Sequence, residues 1–153
     1  MSRSFDVGIE RLLPHRGAMR WVDRLLHSDP DSVAVETVLR ADHPLADAQG
    51  VPAFAGIELM AQSIAVWAGC RALNRGEAIR PGFLLGSRRY TCERSHFDFD
   101  IPYRIEARCE LFGDNGLGMF ACRILDGMDV IASANVSVFE PPDATAFLES
   151  PSA

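Results

Sequence analysis

The chain has 153 residues, of which 48% are hydrophobic and 24% charged, and its formal net charge is −6. This length suits one domain with a substantial core, and the composition excludes a disordered or fibrous protein. The acidic balance argues against nucleic-acid binding, because neutralising phosphates requires a broad face of Lys and Arg.

The first predicted elements are a helical turn and a β-hairpin. Residues 9–13 have a helical pattern that Pro14 ends. Residues 19–27 and 32–40 are rich in Val, Leu and Trp, and an Asp-Pro-Asp turn signal separates them. Residues 41–51 show neither helical nor strand periodicity and are predicted to form a loop.

A long helix is predicted for residues 52–74, ended by Gly76. It is apolar on nearly every face, which indicates either burial on all sides or a membrane span. Glu58 and Gln62 favour burial in protein, because both side chains would be costly in lipid but can be hydrogen-bonded in a protein interior. We therefore expect no membrane span.

The C-terminal half alternates apolar and polar residues, and turn signals at 113–116 and 126–127 divide the alternation. The pattern predicts an antiparallel meander and an α+β domain over residues 1–140, followed by a polar tail at 141–153. The predicted strands cover residues 83–93, 104–111, 117–125 and 129–139.

Two expectations follow from the cysteines and the N-terminus. None of the four cysteines forms a C-x-x-C pair or has a His ligand at zinc-site spacing, so we expect no metal. The first thirteen residues contain no apolar segment of signal-peptide length, so we expect a cytoplasmic protein with reduced thiols.

Three motifs carry a family resemblance. They are LLPHRGAMRWVDRLL at residues 12–26, GIELMAQ at 56–62, and His43-Pro44 in the loop before the long helix. The first two resemble the N-terminal and central-helix signatures of the β-hydroxyacyl-acyl-carrier-protein dehydratase family. His43 stands where that family carries its catalytic histidine, although the family's G-H-F-P tetrad is replaced by DHPL. The nearest likeness is to the divergent dehydratase-like subunits of aryl-polyene and related pathways.

The resemblance implies a HotDog fold, in which an antiparallel sheet of about six strands wraps around one long central helix. It also implies dehydration of 3-hydroxyacyl-acyl-carrier-protein thioesters to trans-2-enoyl thioesters in fatty acid or polyene biosynthesis, without a cofactor. Removing the proton next to the thioester while a hydroxyl leaves requires a base and an acid. We expect His43 to be the base, and Glu58 to donate a proton to the departing hydroxyl or to position it, across a subunit boundary if the family arrangement holds.

Further residues are expected to bind the substrate or its carrier. Backbone N–H groups near Ala55 and Gly56, at the helix start, are candidate donors to the thioester oxygen. Gln62 lies one helical turn after Glu58 and is expected to hydrogen-bond it or a backbone group. Arg88 and Arg89 form a cationic spot suited to an acidic acyl carrier protein and its phosphopantetheine phosphate.

The N-terminal motif has a structural interpretation. His15, Arg16 and Asp23 match family positions, but we expect them to order the N-terminal segment through charged hydrogen bonds rather than to act in catalysis.

Two alternative functions remain open. The chain could be a HotDog acyl thioesterase in which Glu58 activates water, or a weakly catalytic subunit that supports a second HotDog dehydratase. HotDog chains pair so that their sheets continue across the dimer, which covers edge strands. We therefore expect a homodimer, a higher homo-oligomer, or a heterodimer with another HotDog subunit.

Overall fold

A computed structural model describes residues 8–80 and 82–141. It confirms the predicted α+β HotDog architecture: a helix of 20 residues packs against one face of a six-stranded antiparallel sheet. The sheet order is β1-β2-β6-β7-β8-β4, so β1 and β4 are its edge strands. Its strands are β1 Arg24–Ser28, β2 Ser32–Val38, β4 Phe83–Cys92, β6 Pro102–Phe112, β7 Leu117–Asp126 and β8 Asp129–Phe139.

The long helix, α1, covers Ala55–Asn74 and begins later than the predicted Pro52. The reason is a tertiary contact, since β3 (Val51–Pro52) pairs with β5 (His96–Phe97) in a short antiparallel ladder. Gly76 ends α1 as predicted, with a φ of 66° that glycine adopts without strain.

The described part of the N-terminal segment, residues 8–23, lies along α1 and contains two short 3₁₀ turns, Ile9–Arg11 and Gly17–Met19. The predicted strand at 19–27 is therefore shorter and begins at Arg24. Residues 19–21 do not join the sheet because the side chain of Gln62, on α1, forms hydrogen bonds with the Met19 carbonyl oxygen and the Trp21 N–H.

The core lies between α1 and the inner face of the sheet, where alternate strand residues are buried. On β6, for example, Tyr103, Ile105 and Ala107 are buried, whereas Arg104 and Arg108 on the opposite face are exposed. The domain boundary predicted at residue 140 stays a prediction, because residues 142–153 of the predicted tail lie outside the described part of the chain.

Candidate active site

Glu58 lies in the first turn of α1 and lines a cavity of about 70 Å³ that runs beside the helix. Ala61, Ala65 and Ala68 continue this lining along α1. Their spacing keeps them on one face of the helix, and their small side chains leave room that larger ones would fill. From Glu58 to Ala68 the helix rises about 15 Å. The remaining wall comes mainly from aromatic and aliphatic side chains, among them Trp67, Phe83, Leu84, Phe112 and Val138.

Gln62 is fully buried and connects Glu58 to the N-terminal segment. Its Nε2 donates to Glu58 Oε1 at 3.1 Å and to the Met19 carbonyl oxygen at 2.8 Å. Its Oε1 accepts a hydrogen bond from the Trp21 backbone N–H at 2.8 Å. The amide thus orients the Glu58 carboxyl group and holds residues 19–21 against α1, because an amide can donate and accept at the same time.

His15 is the imidazole that the structure brings to Glu58. Its Nε2 lies 3.7 Å from Glu58 Oε1, and both side chains line the same cavity. Its Nδ1 is buried and has no hydrogen-bond partner among the residues that the structure describes. The sequence analysis expected His15 to order the N-terminal segment and did not place it beside Glu58, although the LLPHR motif contains it.

His43 lies elsewhere in the chain, in a depression that it shares with Trp21 and that does not include Glu58. Its ring packs against Trp21 with a centroid distance of 4.3 Å. Burial lowers the pKa of His43, and the charge of Asp42 opposes this shift, so the neutral ring is favoured.

The tautomer of His43 follows from its hydrogen bond. Nδ1 accepts from the Leu45 backbone N–H at 3.0 Å, so the proton of the neutral ring lies on Nε2. Nε2 is buried without a partner. In this conformation His43 therefore presents a donor, and a base role would require the Leu45 hydrogen bond to be given up.

The backbone N–H groups of Ala55 and Gly56 at the start of α1 were expected to be free, and the structure differs from this expectation at Gly56. The Gly56 N–H donates to the Ala53 carbonyl oxygen at 3.0 Å. The same carbonyl also accepts a hydrogen bond from the Tyr90 hydroxyl. A methyl group on Gly56 would overlap that hydroxyl, so glycine is required here for packing against Tyr90. Ala55 is left as the candidate donor to a thioester oxygen.

Tyr90 is a further residue that sequence reasoning missed. It lies on β4 and is half-buried against the start of α1. Burial raises the pKa of its hydroxyl, so the phenol stays protonated and able to donate.

Arg88 and Arg89 lie exposed on the edge strand β4. A β-bulge interrupts the pairing of β4 with β8 between Arg88 and Thr91, and Arg89 has a φ of 56°. The regular alternation of side chains between the two faces of a strand therefore does not hold at this point.

The described residues give two further results on the site. Residues 8–80 and 82–141 contain no group of three or more His, Cys, Asp or Glu side chains placed to hold a metal ion. Within the same ranges, no helix is both long enough and apolar enough to traverse a bilayer.

Comparison with known proteins identifies the family of the chain. The family model of ApeP-like proteins, described as ApeP dehydratase, matches residues 7–149. No curated protein sequence matches the chain. Among solved structures, the dehydratase heterocomplex ApeI:P from Xenorhabdus doucetiae is similar with 25% identity and a TM-score of 0.86, covering 94% of this chain and 96% of that one.

More distant structures share the fold alone. The phenylacetic acid degradation protein PaaI from Thermus thermophilus, in a mutant form, has 17% identity and a TM-score of 0.57 over 76% of this chain and 91% of that one. The protein smu.793 from Streptococcus mutans UA159, bound to acetyl CoA, has 14% identity and a TM-score of 0.59 over 83% and 93%. The family match spans nearly the whole chain and agrees with the resemblance seen in its motifs, so the chain belongs to the ApeP-like dehydratase family.

Proposed function

We propose that the chain dehydrates 3-hydroxyacyl thioesters, held on an acyl carrier protein, to trans-2-enoyl thioesters in fatty acid or polyene biosynthesis. The observation that carries the proposal is the position of Glu58 in a cavity whose lining is mainly apolar, with Ala61, Ala65 and Ala68 along the helix, and also includes Arg80 and Glu140. An acyl chain along this face of α1 would place its reacting carbons beside the carboxyl group. Membership of a dehydratase family supports elimination of water as the reaction.

In this proposal Glu58 donates a proton to the departing hydroxyl, and Gln62 holds its carboxyl group by the 3.1 Å hydrogen bond. His43 does not share a cavity with Glu58 of its own chain. We therefore propose that it serves the Glu58 cavity of a second subunit, where its Nε2–H is suited to donating to the thioester oxygen once assembly opens the buried surroundings of Nε2. The backbone N–H of Ala55 is the other proposed donor.

A second HotDog subunit is part of the proposal because β4 has no neighbouring strand on its outer edge within the described part of the chain and carries two exposed leucines. Leu84 is 41% and Leu85 58% exposed. The apolar start of this edge strand, Phe83–Leu85, favours pairing with another strand. ApeI:P is a heterocomplex, so we propose a heterodimer with a different HotDog subunit, with a homodimer as the alternative.

The carrier protein is proposed to dock beside this edge. Arg88 and Arg89 are exposed there, and neither has an acidic partner within 4.0 Å among the described residues. Such cations suit the acidic surface and the phosphate of a phosphopantetheine-carrying protein. We place the reaction in the cytoplasm, which the four free cysteines fit.

The test uses the purified chain, alone and co-expressed with a candidate HotDog partner, given a 3-hydroxyacyl-carrier substrate. We expect loss of water to a trans-2-enoyl product by mass spectrometry, and a fall of about 100-fold or more for Glu58→Gln, which cannot donate an acidic proton. Ser63→Ala is the control, because Ser63 is buried on α1 and bonds only within the helix, to the Leu59 carbonyl oxygen.

Two results would contradict the proposal. Release of free carrier thiol that depends on Glu58 would identify a thioesterase. Unchanged dehydration by the Glu58→Gln complex would mean that the partner subunit holds the working site and that this chain supports it.

A further inference from the structure

We infer that His15 is the base that works with Glu58 of the same chain, so that the N-terminal LLPHR segment forms part of the active site. The inference rests on the proposed function, because it assigns a second proton-transferring group to that reaction.

The first observation is the shared cavity. His15 and Glu58 both line it, with Nε2 of the ring 3.7 Å from Oε1 of the carboxyl group. The side chains are 27% and 33% exposed, so each is partly open to a molecule in the cavity. A base and an acid held this close can serve adjacent carbons of one substrate.

The second observation is the unpartnered ring nitrogen. His15 Nδ1 is buried without a hydrogen-bond partner. Buried polar atoms in native proteins nearly always have partners, and exceptions call for an explanation. Among the described residues, no backbone N–H is directed at Nδ1 of His15, whereas Nδ1 of His43 accepts from the Leu45 N–H. The proton of the neutral His15 ring can therefore lie on Nδ1, which leaves the lone pair on Nε2, the nitrogen that faces Glu58.

The third observation is how the segment is held in place. The Leu12 carbonyl oxygen lies so close to Gly69 of α1 that any Cβ at position 69 would overlap it. Arg16 donates from Nη1 to the carbonyl oxygens of Leu13 and His15. Gln62 fixes the chain just after this point through Met19 and Trp21. The backbone on both sides of His15 is thus tied to the helix that carries Glu58.

The proton transfers balance within the pair. His15 takes the C2 proton, and the electrons of that bond move towards the thioester to give an enolate. The C2–C3 double bond then forms as the C3–O bond breaks, and the hydroxyl leaves as water with the proton of Glu58. His15 is left as imidazolium and Glu58 as carboxylate, and return of one proton from His15 to Glu58 restores both groups.

The experiment compares His15→Gln and His27→Gln in the assembly that dehydrates the carrier-bound substrate. We expect His15→Gln to lower kcat by about 100-fold or more while KM changes by less than about threefold. His27→Gln is the matched control, because His27 pairs with Asp29 at 2.9 Å on the hairpin and does not line the cavity.

A second measurement separates the base from the other groups. Exchange of the C2 proton of a saturated acyl-carrier thioester with solvent deuterium needs a base but no leaving group. We expect His15→Gln to lose this exchange and His27→Gln to retain it. If His15→Gln keeps both exchange and dehydration, the inference is wrong while the proposed function stands.

A third measurement does not depend on activity. Diethyl pyrocarbonate modifies unprotonated imidazole nitrogens, and mass spectrometry locates the product. We expect a trans-2-enoyl pantetheine thioester to protect His15 but not His27. Failure to protect His15 would overturn the inference, whereas protection in a complex without dehydratase activity would overturn only the proposed function.

Discussion

Replacement of Gln62 by leucine tests how the N-terminal segment is attached to α1. Gln62 is fully buried and makes three hydrogen bonds, to the Trp21 N–H, the Met19 carbonyl oxygen and Glu58 Oε1. Leucine has a similar volume but can make none of them. The substitution therefore removes polar contacts and leaves little cavity behind.

The magnitude follows from the groups left without a partner. A backbone group buried without its hydrogen bond costs about 1–3 kcal/mol, and Trp21 N–H is the group most affected. Met19 is 60% exposed, so water can reach its surroundings and replace part of what is lost. We expect Gln62→Leu to lower the free energy of unfolding by about 2–3 kcal/mol.

The assay is urea unfolding followed by tryptophan fluorescence, since Trp21 lies at the affected contact. Ser63→Ala is the control: Ser63 is equally buried, and its hydroxyl donates to the Leu59 carbonyl oxygen at 2.8 Å. Alanine removes the donor and strands no backbone group, so we expect a loss below about 1 kcal/mol. Equal losses in the two variants would refute the role assigned to Gln62.

Three further predictions concern glycine packing and acid stability. Gly69→Ala places a methyl group against the Leu12 carbonyl oxygen. The cost of overpacking, about 1–3 kcal/mol in the free energy of unfolding, outweighs the gain in helix propensity. Because the substitution also displaces the segment that carries His15, it should reduce dehydration. Gly116→Ala should cost about 2 kcal/mol or more in urea unfolding, because φ is 88° and the methyl group meets the Glu140 carbonyl oxygen. Burial raises the pKa of Asp29, but hydrogen bonds from His27, Ser32 and backbone N–H groups outweigh it and lower the pKa to about 2. Because the folded-state pKa is depressed, Asp29 stabilises the fold above about pH 4, and this contribution is lost towards pH 2; the stability difference between Asp29→Asn and wild type should shrink across that window.

The architecture was predictable because its signals are local and periodic. Alternation of apolar and polar residues located β6, β7 and β8, and the all-round apolar segment located α1. The boundaries that moved depend on contacts distant in sequence. Pro52 pairs with His96 in a short ladder and is therefore not part of α1. The Trp21 backbone is held by Gln62 and is therefore not part of β1.

The site was predictable in part. Glu58 and Gln62 stood out because polar groups in an apolar helix need partners, and they do bond to each other. The partner of Glu58 was not predictable in the same way. His15 reaches it because Gly69 admits the Leu12 backbone, and this approach depends on two residues far apart in the chain.

The loop that carries DHPL fixes the tautomer of His43. A base at Nε2 requires the ring proton on Nδ1, and a backbone N–H directed at Nδ1 excludes a proton there. The loop supplies the Leu45 N–H, which is a donor, and so places the proton on Nε2. In this conformation His43 does not offer a lone pair at Nε2, and our inference assigns that role to His15, whose Nε2 faces the Glu58 carboxyl group.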